Sequence, residues 1–155
     1  MKQKIPCTQQ DAVAANSHFA DSLDVIIKNA NIGLWDLHLP SGKVIYSRQW
    51  EQIAGYEEGE LAQSTETWDN LVLQEDVAAV DKAISRHLNG TAEFYEAESR
   101  MRKKDGAIIW AQDRATVTEW DAQGRPVRLV GVLQDVTRIK LAEQRLLEKS
   151  MMLKY

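Results

Sequence analysis

A chain of 155 residues with 44% hydrophobic content is long enough for one ordinary domain with flanking helices, and apolar enough for a packed core. A formal charge of −4 gives no support for nucleic-acid binding, which draws on a basic face. No run of about 18 apolar residues offers a membrane span, residues 1–6 lack the apolar centre of a secretory signal, and the lone Cys7 has no partner for an internal disulfide, so a cytoplasmic, reducing setting is expected.

Residues 8–30 read as a leading helix, with Ala12, Ala15, Phe19, Leu23, Ile26 and Ile27 at roughly helical spacing, broken by Asn31-Ile32-Gly33. Residues 34–39 alternate as a strand, Pro40-Ser41-Gly42 turns the chain, and residues 43–46 return as a second strand. Ser47 is placed to cap a short helix over 48–54, which Gly55-Tyr56 ends. Short helical turns are expected at 57–61 and 67–72. The one long internal helix covers 76–88. Val77, Val80, Ala83, Ile84 and His87 or Leu88 form its apolar stripe, Asp76 its cap, and Asn89-Gly90 its end. Strands over 92–103 and 107–119 flank the hairpin signal Lys104-Asp105-Gly106, and residues 121–124 turn the chain again.

The stretch Pro126 to Lys140 organises the rest. Val127, Leu129, Gly131 and Leu133 share one face of a strand, and Val130 and Val132 make the other apolar too, which predicts an interior strand. Gly131 predicts close approach of another backbone or a ligand. Asp135 and Thr137 can accept from the free N–H groups of a helix start, and residues 138–155 contain neither Gly nor Pro. Strands segregated from helices predict an α+β domain with an antiparallel sheet.

Gly33-Leu34-Trp35-Asp36, Ser41-Gly42, Tyr46-Ser47, Trp50, Ile53-Ala54-Gly55-Tyr56, Trp68, Lys104-Asp105-Gly106, Trp110, Gly131 and Asp135-Val136-Thr137-Arg138-Ile139-Lys140 follow one another in an order that resembles a PAS domain with a PAC segment. The resemblance covers about residues 31–140. It implies a five-stranded antiparallel sheet of order 2-1-5-4-3, with helices over one face that can enclose a ligand. It divides the chain into a flanking helix (1–30), a PAS/PAC sensor domain (31–137) and a C-terminal signalling helix (138–155). It also implies that the Asp of the D-x-T segment, here Asp135 with Thr137, ties the last strand to the output helix. Such modules stand upstream of histidine kinases or of enzymes that make or break cyclic di-GMP. One departure is Leu73-Gln74-Glu75-Asp76, where the subclass often carries a His-Pro-Asp-Asp-like segment.

The cofactor is not fixed by these residues. Haem-binding members take an axial His from the long helix, near Val80 here. His87 lies at the helix's end, where a surface or C-cap role is expected. Covalent flavin chemistry needs a thiol, and residues 48–72 hold no Cys. Leu133 stands where those members use a Gln. Non-covalent flavin or another small ligand stays open, because Trp35, Trp50, Trp68 and Trp110 suit stacking as well as packing. His18, His38 and His87 show no metal-ligand spacing.

Strand parity gives pocket candidates: Leu34, Ile53, Tyr56, Leu71, Val80, Ile84, Tyr95, Met101, Ala115, Leu129 and Leu133. A filled core with no ligand is the other reading. Arg114 is expected either to pair with Glu98 across a hairpin or to meet an anionic ligand. No catalytic signature appears, and a proximity of Asp36, His38 and Asp135 is the one arrangement that could suggest a small enzyme. Ile139, Ala142, Leu146, Lys149 and Leu153 follow a short heptad-like seam. With the leading helix they are expected to form a parallel homodimer that passes a signal to a downstream domain.

Overall fold

The two apolar faces of Pro126–Asp135 (β5) are explained by its place at the centre of a five-stranded antiparallel sheet ordered β2-β1-β5-β4-β3. The computed structural model describes residues 8–154, the side chains of 11–16 excepted, so Cys7 and the side chains of Ala12 and Ala15 lie outside the described residues. The chain falls into two units, the first closing at Asn31 and the second beginning at Ile32. The first contains the helix α1 (Gln9–Ala30), on which Phe19, Leu23, Val25 and Ile26 are exposed.

The second unit holds β1 (Ile32–His38), β2 (Lys43–Tyr46), the helices α2 (Arg48–Ile53), α3 (Thr65–Leu71) and α4 (Gln74–Leu88), then β3 (Tyr95–Arg102), β4 (Ile108–Trp120), β5 and the exit helix α5 (Thr137–Met152). β5 pairs with β1 through Trp35–Gly131 and with β4 through Ala115–Gly131. A Cβ on Gly131 would lie 2.6 Å from the Ala115 Cβ, 2.7 Å from the Arg114 carbonyl oxygen and 2.7 Å from the Trp35 ring, so only glycine fits between the two flanking strands. The hairpin at Lys104-Asp105-Gly106 closes with Gly106 at φ 90° and the Asp105 carboxylate accepting from the Ala107 N–H at 2.9 Å.

Helices α2, α3 and α4 cover the face formed by Trp35, Val44, Tyr46, Tyr95, Met101, Ala111, Ala115, Leu129 and Leu133, which carries both core clusters. Ser47 sets the approach of α2. Its hydroxyl accepts from the Trp50 N–H at 3.3 Å and from the Leu34 N–H at 2.9 Å, so one side chain caps the helix and holds it to β1.

Three local expectations need correction. Residues 57–61 form a turn and not a helix, because Gly59 takes φ 80° and the Glu57 N–H is satisfied by its own neighbour's carboxylate, Glu60 Oε2, at 2.7 Å. Asp76 is not the cap of α4, which begins two residues earlier after Leu73. Its carboxylate instead grips Arg100 of β3, accepting from the backbone N–H at 2.7 Å, from Nε at 3.0 Å and from Nη2 at 2.7 Å. His87 is 8% exposed and no surface residue. Its Nδ1 donates to the Ala92 carbonyl at 3.0 Å and its Nε2 accepts from the Val117 N–H at 3.1 Å, which pins the end of α4 to β4.

Candidate functional site

Between the sheet and the three short-to-medium helices lies a cavity of about 270 Å³. The sheet contributes Trp35, Leu37, Val44, Tyr46, Tyr95, Asp113 and Leu129. The helices contribute Trp50, Thr65, Trp68, Asp69, Val80, Asp81 and Ile84. Five aromatic rings and three carboxyl groups thus share one wall system, and no Lys, Arg or His lines it among the described residues.

The chemistry centres on Asp113. It sits on the inward face of β4 between the buried Ala111 and Ala115, and is 3% exposed. Trp35 Nε1 donates to its Oδ1 at 2.9 Å and is the one hydrogen-bond donor given to this carboxyl among the described residues. Burial, opposed only by that bond, pushes its pKa up to about 7. Its neighbours respond in the same sense. The Tyr95 phenol is raised by burial and by the nearby charges of Asp113 and Asp81, and Asp69 is raised by burial and by Asp81 and Glu66. The Tyr46 hydroxyl donates to the Ser64 carbonyl at 2.8 Å, and its ring packs on Trp50 at 4.1 Å between centroids.

Of the pocket candidates read from parity, Val80, Ile84, Tyr95 and Leu129 line the cavity. Ala115 packs behind them in the same cluster. Ile53, Leu71, Met101 and Leu133 fill the adjoining core, and Tyr56 packs against it partly buried. Leu34 lies on the opposite face of β1 from Trp35, with its N–H on Ser47, because it shares parity with Asp36 and His38. Trp35, Trp50 and Trp68, read from the sequence as suited to stacking, also line it, whereas Tyr46 and the three carboxyl groups are absent from the sequence reading. Asp113 carried a readable signal: a charged residue two positions from each of two small apolar residues on one strand face.

Arg114, on the other face of β4, stacks over Phe94 at 4.4 Å, so it neither faces the cavity nor pairs with Glu98. Glu98 stands opposite Gln112 and binds Lys140 of α5 at 2.6 Å. Asp36 is held by Arg128, whose Nε donates to it at 2.8 Å, four positions along β1 from the strand's Asp135 end, so Asp36, His38 and Asp135 do not converge.

The end of β5 is welded to β4 as well as to α5. Asp135 Oδ1 accepts from the Thr137 N–H at 3.0 Å and from its hydroxyl at 2.5 Å. The Thr137 hydroxyl oxygen accepts in turn from the Trp110 N–H at 2.9 Å, and the Val136 N–H donates to the Trp110 carbonyl at 2.8 Å. Both the Arg100 guanidinium, at 5.6 Å, and the Lys140 ammonium, at 4.9 Å, stand over the Trp110 ring. The Asp–Thr pair therefore does not cap the later amides of the helix. It closes a hydrogen-bonded link from β4, through Thr137, into the first turn of α5.

The family profile described as PAS fold matches residues 43–133. The chain belongs to the PAS fold family. It is 33% identical over 123 residues to a blue-light-activated histidine kinase of Brucella ovis, covering 79% of this chain and 24% of that protein. The chain thus spans about a quarter of the length of the curated relatives it matches. Among solved structures, a sensory box histidine kinase/response regulator from Burkholderia thailandensis aligns with a TM-score of 0.74 at 32% identity, over 85% of this chain and 97% of the other. The N-terminal domain of a diguanylate cyclase with a PAS/PAC sensor from Marinobacter aquaeolei aligns with a TM-score of 0.61 at 22% identity, over 70% of this chain and 98% of the other, and shares the fold.

A covalent flavin adduct needs a thiol, and no cysteine occurs after Cys7; Leu133 is fully buried core, and no Lys, Arg or His lines the cavity among the described residues. Among the described residues no group of three or more His, Cys, Asp or Glu is arranged to hold a metal ion, and no helix is long and apolar enough to cross a membrane.

Proposed function

We propose that this PAS domain is the cytoplasmic, non-catalytic input module of a larger signalling protein, binding a small ligand in the cavity and passing the change to an output domain, a histidine kinase or a cyclic-di-GMP enzyme. One observation carries the proposal. Asp113 and Leu129, which line the cavity, lie on β4 and β5, the two strands whose ends are joined to α5 through Trp110, Asp135 and Thr137. A ligand that moves either strand pulls on the start of the helix. The names of relatives above 30% identity, a Brucella ovis histidine kinase and a Burkholderia thailandensis sensory box histidine kinase/response regulator, support a kinase as the output.

In this proposal α5 is the moving part and the dimer contact. Among the described residues nothing covers its apolar side: Ile139, Ala142 and Leu146 are exposed, as is Leu153 just past its end, at 89%. About two heptads are too short to hold a dimer alone, so ligand state can shift register or rotation at modest energy. The exposed helix also favours a second reading, a dimerisation module whose cavity stays without a ligand.

Absorption and native mass spectrometry of the freshly purified chain separate the two. Retained extra mass that leaves on denaturation is the expected result. A dimer carrying no added mass, with no absorbance beyond the aromatic band, overturns ligand sensing and leaves the dimerisation module.

A further inference from the structure

The cavity wall has an unusual balance. It presents carboxyl groups from three elements, Asp69 of α3, Asp81 of α4 and Asp113 of β4, and no basic side chain answers them among the described residues. The rest of the wall is five aromatic and five aliphatic side chains with Thr65, and ring faces carry negative charge density that attracts cations. Trp35 and Tyr95 stand edge to face with centroids 6.3 Å apart, flanking the Gly131–Ala115 row of the sheet, two residues along β4 from Asp113. Asp113 is almost wholly buried, and among the described residues only one of its carboxyl oxygens meets a donor of the protein. The oxygen left over can accept from whatever enters the cavity.

We infer that the cavity selects a small organic cation, a protonated amine borne on an aromatic or apolar body, with Asp113 Oδ2 accepting from the ammonium and the Trp and Tyr rings enclosing the body. This rests on the reading of the cavity as a ligand site and adds its chemical class. Several features exclude the alternatives. An anion meets three carboxyl groups and no counter-charge. A neutral apolar ligand offers the Asp113 carboxyl no donor and closes its remaining access to water, which is unfavourable. A bare metal ion lacks convergent ligands, because the carboxyl groups are spread around the wall. At about 270 Å³ the space lies just below the usual range of small-molecule pockets, about 300–1,000 Å³, which restricts the body to roughly one ring and a short chain.

The wall also explains how such a ligand could be sensed. An ammonium group beside Asp113 stabilises its ionised form. Asp113 lies two residues from Ala111 and three from Trp110, the residue that holds Thr137. A change in the charge and position of the Asp113 carboxyl therefore acts on the strand that anchors the exit helix.

The test uses three probes of matched shape on the whole chain at pH 8: phenethylamine, 2-phenylethanol and 3-phenylpropionate, followed by calorimetry and tryptophan fluorescence. Phenethylamine is expected to bind at least tenfold more tightly than 2-phenylethanol, with no detectable binding of 3-phenylpropionate. In Asp113→Asn that preference should fall to about twofold or less, while thermal melts of the same samples show the variant folded. Equal binding of the alcohol and the amine, or tighter binding of the carboxylate, overturns the cation assignment and leaves the cavity as a ligand site. An unaltered preference in folded Asp113→Asn overturns the role of Asp113. Failure of all three probes, together with no retained mass from the purified chain, overturns both the assignment and the ligand-sensing reading on which it rests.

Discussion

Replacing Asp113 by Asn is expected to raise the unfolding free energy at pH 8 by about 4 kcal/mol, while changing it by less than about 1 kcal/mol at pH 4. The wild-type carboxyl has a folded pKa of about 7, against an ordinary value of 3.8, because burial opposes its charge. Between these values the folded protein holds a proton that the unfolded chain has released. More protons bound in the native state means that stability falls as pH rises, from about pH 4 until the folded group ionises near pH 7, after which the penalty is constant. Asparagine keeps an oxygen for the Trp35 Nε1 bond and removes the titration. Asp36 and Asp76, whose pKa values are lowered by hydrogen bonds from Arg128 and Arg100, give slopes of the opposite sign, but they cancel when variant and wild type are compared at each pH. Urea unfolding of both proteins across pH 4–8 checks this. Parallel curves would show that Asp113 is not buried as a carboxylic acid.

Trp50→Ala is the other substitution with a large expected effect, a loss of about 3–5 kcal/mol. Trp50 is 1% exposed, and its ring packs on Tyr46. Its backbone sits so close to β1 that a Cβ on Gly33 would lie 2.8 Å from the Trp50 Cα. Removing the indole merges the core beside α2 with the cavity and leaves a space that this tight backbone contact prevents from collapsing. Trp50→Phe keeps an aromatic ring against Tyr46 and should lose clearly less. Denaturant unfolding measures both. A loss under about 1 kcal/mol for the alanine variant would mean that α2 is not anchored through this residue.

The sequence was most informative where the backbone imposes hard limits. Gly131, between two apolar neighbours at each parity, announced a central strand with no room for a side chain, and Asp135-Val136-Thr137 announced where strand gives way to helix. The order of turn and aromatic residues then carried the sheet topology through family resemblance. The site was harder to read because period-two patterns fix which residues share a face but not which face is inward. In β1, apolar residues occupy both parities, so Leu34 was placed in the pocket although Asp36 and His38 on its own side mark the outer face. In β4 the conspicuous Arg114 drew attention one position away from Asp113, whose buried Ala111 and Ala115 neighbours hold it inward. Asp76 and His87 depart from the local expectation for another reason. Each sits at a helix end where a local capping role is the usual expectation, yet the partners that claim them, Arg100 and Val117, lie 24 and 30 residues away. Such long-range hydrogen bonds leave no trace in local propensity.

In the proposed mechanism the state of the cavity reaches α5 through the joined ends of β4 and β5. Amide hydrogen exchange of the wild-type chain and of Ile84→Trp, which fills the cavity from α4, tests this without knowledge of the natural ligand, once circular dichroism shows the variant folded. Altered protection is expected at Trp110, Lys140 and Leu141 in the variant, along with changes at the cavity residues Val80 and Asp81. Changed protection around the cavity with none at Trp110 and the first turn of α5 would contradict it.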